Sequence, residues 1–308
     1  MKLTPKQIRG TSFLLGLVGA TALLIPTLSM AAEPGATPSD SWLTNSTVAA
    51  PKPIAGKGYH LVKNWDFGST VTTKAKLSQE FFTRYVYSNG TCDYFNDEWE
   101  RYRDNDNHVF KNHMLNLTAR VTGTAGLKKG AIESGMLRSK WTGKYGYYEC
   151  CMKVPRGRGM WPAFWLNPQD GTWPPEIDIL EIVNNGRDTT RASFHYLHNE
   201  KDQPATITSK LNKWGAYLAK FDYAEDFHTF AVEWTPDTVT HYVDGEAIVS
   251  RKFHWTHNNG KDGGPAHILL NLAVGGKWPE DPQSVSDFPA ELAVKSIRVW
   301  QQETPPIK

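Results

Sequence analysis

Cysteine is scarce. The 308-residue chain has three, Cys92, Cys150 and Cys151, and no C-x-x-C pair among them. That spacing argues against the common zinc sites. Cys150 and Cys151 are neighbours in a strand-like run, so their side chains point to opposite faces and at most one can pair with Cys92. A disulfide is open to an exported chain, but a core of this size does not need one, and free buried thiols serve as small hydrophobes.

A charge imbalance is also lacking. The chain carries 34 Lys and Arg against 32 Asp and Glu. Lys2, Lys6 and Arg9 stand at its start and no acid precedes Glu33, so without residues 1–31 the balance is 31 basic to 32 acidic, a net charge of −1. No nucleic-acid partner is implied. One long apolar run occurs, from Phe13 to about Leu28. It follows the basic start and precedes Ser29-Met30-Ala31-Ala32, whose small residues suit a cleavage site. Residues 1–31 are therefore expected to be a secretory signal peptide. Gly16, Gly19, Thr21 and Pro26 make the run a poor membrane anchor. The expectation is a secreted or periplasmic protein with no membrane contact after cleavage.

Long helical periodicity and internal repeats are missing too. Residues 32–58 are rich in Pro, Gly, Ser, Thr and Ala and read as a flexible linker or loosely held arm. Residues 59–303 then carry short alternating or β-branched runs: 114–121, 146–154, 177–183, 192–197, 229–234, 238–243, 267–273 and 292–301. Turn signals separate them. Asp244-Gly245, between Val239–Val243 and Glu246–Val249, accepts the positive φ angles of a type I′ hairpin turn. A helical piece is expected near Ser209–Ala219. The pattern as a whole predicts an all-β sandwich or jelly roll.

What the sequence does have is aromatics and one dense run of acids. Twelve Trp, twelve Tyr and thirteen Phe, many beside Gly and Pro, suit a β-rich protein with an aromatic-lined groove. The acids lie in Glu176-Ile-Asp-Ile-Leu-Glu181. In a strand, Glu176 and Asp178 share a face, whereas Glu181 is an odd number of residues away and falls on the other. One β-bulge near Ile179-Leu180 would return Glu181 to the first face. Three clustered carboxylates repel one another and are costly to desolvate. Retaining glycoside hydrolysis uses such a cluster, with one carboxyl as nucleophile and one as acid/base. A solvated strand edge and a Ca²⁺ site are the competing readings of these six residues.

The flanks add Gly157-Arg-Gly-Met-Trp-Pro-Ala-Phe-Trp-Leu166, Trp173-Pro-Pro, Ser193-Phe-His-Tyr196, Asp226 to Pro236, Tyr242-Val-Asp-Gly245, Leu270 to Pro279 and Ile297-Arg-Val-Trp300. In order and spacing these blocks resemble glycoside hydrolase family 16, the laminarinase, lichenase and agarase group, from about Trp65 to Gln301. The acid motif matches the bulged form, E-x-D-x-x-E. The resemblance implies a concanavalin A-like jelly roll of two curved antiparallel sheets, with the substrate in a concave groove. It implies Glu176 as nucleophile, Glu181 as general acid/base and Asp178 as the assisting carboxylate, in a double displacement that needs no cofactor. Trp173 would stack on a sugar near the cleavage point, and Trp161, Trp165 and Trp278 are candidate groove residues. His195 would bind a substrate hydroxyl or assist Glu181, and Asn96 matches a segment near the glycone subsites. Asn271 fits either a groove or a structural role.

Two departures limit the transfer. Val294-Lys295-Ser296 stands where many members have an aspartate that helps bind a structural calcium, and a lysine repels the ion. Glu100 and Arg101 stand where many β-1,3-glucanases have uncharged residues. Arg101, Arg103 and the acids near Asp104 would serve a substituted polysaccharide or form a solvated loop with salt bridges. The implied activity is a monomeric, secreted retaining endo-β-glycosidase on a polysaccharide, with a β-1,3 or mixed β-1,3/1,4-glucan preferred. A β-galactan or exopolysaccharide hydrolase, a transglycosylase and a non-catalytic carbohydrate-binding protein are the alternatives.

Overall fold

Short strands with alternating burial dominate the chain. The computed structural model describes residues 48–303 apart from residues 105, 125, 188 and 200–204. The signal peptide expected at 1–31 and the first part of the arm, 32–47, lie outside the described residues. In chain order the strands are β1 (Tyr59–Asp66), β2 (Phe81–Phe82), β3 (Glu100–Tyr102), β4 (His108–Lys111), β5 (Met114–Val121), β6 (Ile132–Ser134), β7 (Met136–Gly143), β8 (Gly146–Lys153), β9 (Met160–Pro168) and β10 (Glu176–Glu181). They continue as β11 (Ala192–Phe194), β12 (Leu197–His198), β13 (Ala205–Ser209), β14 (Ala216–Leu218), β15 (His228–Trp234), β16 (Thr238–Val243), β17 (Glu246–Lys252), β18 (Ala266–Val274) and β19 (Ala290–Gln302). The helix α1 (Lys74–Glu80), the longest among the described residues, is capped by the Thr73 side chain, which accepts from the Lys76 N–H.

The strands form the two sheets of a jelly roll, as the sequence predicts. One runs β14-β11-β10-β9-β18-β7-β2, with β12 also paired to β10. The other runs β13-β17-β16-β15-β8-β19-β5-β6-β3, with β1 on β19 and β4 on β5. Pairing is antiparallel except between β3 and β6. Facing rows of apolar side chains close the sandwich. Phe164, Leu166, Ile177, Leu180, Ile268, Leu270 and Leu272 come from the first sheet, and Tyr148, Cys150, Met152, Phe230, Val232, Val294, Ile297 and Val299 from the second. Burying each large side chain contributes about 1.5–3 kcal/mol. Cys150 faces this core and Cys151 the other side, as adjacent strand residues must, and all three cysteines are free. The 239–249 hairpin forms as expected, with Asp244 at φ 50° and Gly245 at φ 76°.

Two local expectations are corrected. The arm predicted over 32–58 is packed from Val48 onward. Ile54 is fully buried against Tyr147, Ala231, Tyr242 and Trp300 on the outer face of the second sheet, with Val48 and Ala50 beside it. Those aromatics would otherwise present apolar area to water. No helix forms at 209–219. Asn212 instead accepts from the N–H groups of Trp214 and Ala216, folding a turn that delivers the chain into β14.

Candidate active site

The site is built on a register fault. On β9, Leu166 faces Ile177 and Trp165 faces Asp178; then Phe164 faces Leu180 and Ala163 faces Glu181. Ile179 is the extra residue of a β-bulge. Directly opposed residues point to the same side of a sheet. Trp165 and Ala163 are two apart and share a face, so Asp178 and Glu181 share it too. Glu176, two before Asp178, completes the row on the groove face, while Ile177 and Leu180 face the core at 0 % exposure.

A bulge releases main-chain groups from the ladder, and a buried carbonyl needs a donor. Two buried imidazoles beneath the sheet supply them. His241 Nε2 is 3.1 Å from Asp178 O, and His195 Nδ1 is 2.6 Å from Ile179 O. His195 Nε2 lies 2.9 Å from Ser193 Oγ, itself 3.2 Å from the Tyr223 hydroxyl. The bonds assign His195 the Nδ1–H tautomer, with Nε2 accepting from Ser193. Burial lowers both histidines, His195 to about 4 and His241 well below the ordinary value, so both stay neutral near pH 7.

Above the sheet, each acid is held by a different ring. Trp173 Nε1 donates to Glu176 Oε2 at 2.7 Å, and Trp161 Nε1 donates to Glu181 Oε1 at 3.2 Å. His198 Nε2 is 2.9 Å from Asp178 Oδ2 and 3.8 Å from Glu176 Oε1. Hydrogen bonds to a carboxylate are the strong, charge-assisted kind, and they fix its rotamer. Glu176, Asp178 and His198 bring one ligating atom each within 4.8 Å of one another, a spacing metal ligands also adopt. Lys295 projects from β19 with its ammonium 4.0 Å from the Phe227 ring centroid, so it offers a cation and no oxygen ligand.

Most of the expected groove residues converge on this face. Trp173 stands at the lip, 40 % exposed. Trp161 packs edge-on against Trp278 at 5.0 Å. Trp165 is on the acid face, but its indole is tied to Asn271 Oδ1 at 2.8 Å, and Asn271 in turn donates to the Tyr102 hydroxyl. Asn96 lies exposed in a loop above β9 and β18 at φ 50°, its amide 3.5 Å from Glu98 Oε1. His195 is the correction. It is 0 % exposed and points between the sheets, because Phe194 is the residue opposite Glu181 and its successor must face away.

The same parity reveals residues not singled out beforehand. His198 faces Glu176 across the β10–β12 pair, and Phe194 and Tyr196 share its side. Register to β10 was the missing signal. The loop bearing Asn96 hides a second acid pair, Glu98 and Glu100, both buried. Glu98 Oε2 accepts from Phe95 N and Glu100 Oε2 from Val274 N. Burial, then the Glu100 charge, raises Glu98 well above the carboxylate range, and burial lifts Glu100 to about 7. The neighbouring arginines are engaged locally: Arg101 sits 3.8 Å over Tyr94, and Arg103 pairs with Asp93 and with Glu133.

Comparison with known proteins agrees with this geometry. The sequence profile of the glycosyl hydrolases family 16 matches residues 95–288, more than half of the chain. The chain is 34 % identical over 169 residues to the endo-1,3-1,4-beta-glycanase ExsH of Rhizobium meliloti (strain 1021), covering 54 % of this chain and 33 % of that protein. It is 32 % identical over 189 residues to a beta-glucanase of Rhodothermus marinus, covering 53 % of this chain and 59 % of the relative. The chain thus spans about a third and under two thirds of these relatives' lengths. The laminarinase catalytic domain of Thermotoga maritima MSB8 superposes with a TM-score of 0.61 at 27 % identity, over 80 % of this chain and 99 % of the domain. With its sandwich, its bulged acid strand and its profile in agreement, the chain belongs to glycosyl hydrolases family 16.

Proposed function

We propose that the protein is an exported, retaining endo-β-glycosidase whose substrate is a β-1,3 or mixed β-1,3/1,4-glucan. Its catalytic domain would be residues 59–303, following a cleaved leader at 1–31. The observation that supports it most is the bulge at Ile179, which sets three carboxylates on one groove face beside exposed and half-buried indoles. Glu176 attacks the anomeric carbon while Glu181 gives its proton to the leaving oxygen. A covalent glycosyl-enzyme forms, and Glu181 then takes a proton from the incoming water as the intermediate is hydrolysed. Asp178, bonded to His198, stands between the two and holds the site's charge in order. Trp173 and Trp161 keep the two glutamates in place from opposite ends. The endo-1,3-1,4-beta-glycanase and the beta-glucanase are similar at 34 % and 32 % identity, against 28 % for a kappa-carrageenase and a keratan-sulfate endo-1,4-beta-galactosidase, which favours glucan over galactan.

Early-product proton NMR on laminarin and lichenan tests this reading. The β anomer is expected first, with α appearing only by mutarotation. Initial α product would rule out retention, and turnover confined to agarose, carrageenan or a bacterial exopolysaccharide in the same panel would move the substrate.

A further inference from the structure

We propose that Trp214 is an outer sugar-binding platform of the groove, stacking on a pyranose ring of a long β-glucan well away from the bond being cleaved. The proposal rests on the glucanase reading above. Trp214 is 68 % exposed, far more than the other groove indoles, so it contributes little to the core. An indole in water is costly, and an ordered one near a binding cleft is a natural surface for the C–H face of a β-pyranose.

Its backbone is firmly placed. The Trp214 and Ala216 N–H groups both donate to Asn212 Oδ1, at 2.8 and 3.1 Å, and Gly215 N donates to Asn212 O at 3.0 Å. The Tyr196 hydroxyl donates to Trp214 O at 3.2 Å. Gly215 has φ +75°, and a Cβ there would stand 3.2 Å from Tyr196 Cε1, so the turn is seated directly against that ring.

Tyr196 links the turn to the catalytic strand. It shares the groove face with Phe194, which it stacks on at 6.2 Å and 11°, and with His198. An aromatic path runs from Glu181 to Trp161, from Trp161 to Trp278 at 5.0 Å, and from Trp278 to Tyr196 at 6.2 Å. The turn beyond Tyr196 leads into β14, the edge strand of the acid-bearing sheet. Trp214 therefore stands at one end of the groove, across β11 from the acids, while the Asn96 loop covers the strands on their other side. Lys213 Nζ, 4.9 Å from the indole, adds a donor for sugar hydroxyls at that rim.

The test compares a long chain with a short one in the full protein. KM and kcat are measured for wild type, Trp214→Ala and Trp214→Phe on soluble lichenan or laminarin and on the shortest oligosaccharide that wild type cleaves. Trp214→Ala should raise KM on the polymer about three- to tenfold, the size of one aromatic contact, with kcat unchanged. KM on the short substrate should not move, and Trp214→Phe should restore part of the polymer affinity. Equal KM shifts on both substrates, or none on either, would overturn the platform while leaving the glucanase reading intact. A wild-type protein that cleaves neither glucan overturns the reading on which the platform rests. The exposed position predicts an unchanged melting temperature in both variants.

Discussion

The two faces of β10 use the same kinds of polar groups for opposite ends. On the groove side, Trp173, Trp161 and His198 hold the three carboxylates, of which Glu176 is partly exposed and Asp178 and Glu181 are buried. On the core side, His195 and His241 each give one ring nitrogen to a carbonyl beside the bulge, and both are fully buried. His195 and His198 are three positions apart, yet one is a structural donor and the other a neighbour of the acids. Histidine's role is thus set by which side of a pleated strand it occupies, and a single inserted residue decides that for everything on β10.

The largest test of this contrast is on the groove face. Glu176→Gln and Glu181→Gln keep the shape and hydrogen bonds of the site but remove nucleophile or proton donor. Each should lower kcat on a β-glucan by about 10³-fold or more, with the melting temperature nearly unchanged. Near-normal rates in either variant would show that the acid row is not the catalytic centre.

On the core face, stability should respond and pH should reveal why. His241→Leu leaves Asp178 O without its donor and should cost about 2 kcal/mol in urea unfolding at pH 7, with His241→Gln recovering part. Both buried histidines bind a proton more readily unfolded than folded, since His195 is lowered from 6.5 to about 4. Wild-type stability should therefore fall as pH drops from about 6.5 toward 4, and His241→Leu should show a shallower fall. An unchanged slope would mean that His241 is not buried neutral.

The smallest effect concerns the loop that flanks the acid face. Glu100 is raised from 4.5 to about 7, so the folded state holds a proton that the unfolded state has lost across that window. Its contribution declines as pH rises from about 4.5 through 7. Glu100→Gln keeps an acceptor for Val274 N and cannot ionise. It should be about 1 kcal/mol more stable than wild type at pH 8 and indistinguishable near pH 4.5, read by denaturant melts at both.

Much of the architecture is legible in the sequence. Alternating runs foretold the strands, Asp244-Gly245 foretold its hairpin, and the odd spacing of Glu176 and Glu181 demanded a bulge that lies at Ile179. The failures have a common cause. Ser209–Ala219 lacked a strong period, and Asn212 settled it with two side-chain hydrogen bonds that a helix pattern does not register. Residues 48–58 looked like a loose arm by composition, but the outer aromatics of the second sheet gave Ile54 a place to bury.

By itself the sequence determined a β-rich chain, the acid row and the need for one extra residue within it, because these depend on local alternation and spacing. The phase of β11 and β12 against β10 was a tertiary decision. Alternation says that neighbouring residues face opposite ways, and only the pairing of Phe194 with Glu181 and of His198 with Glu176 says which way. That pairing sent His195 under the sheet, brought His198 to the acids, and set Tyr196 where the turn carrying Trp214 could rest against it.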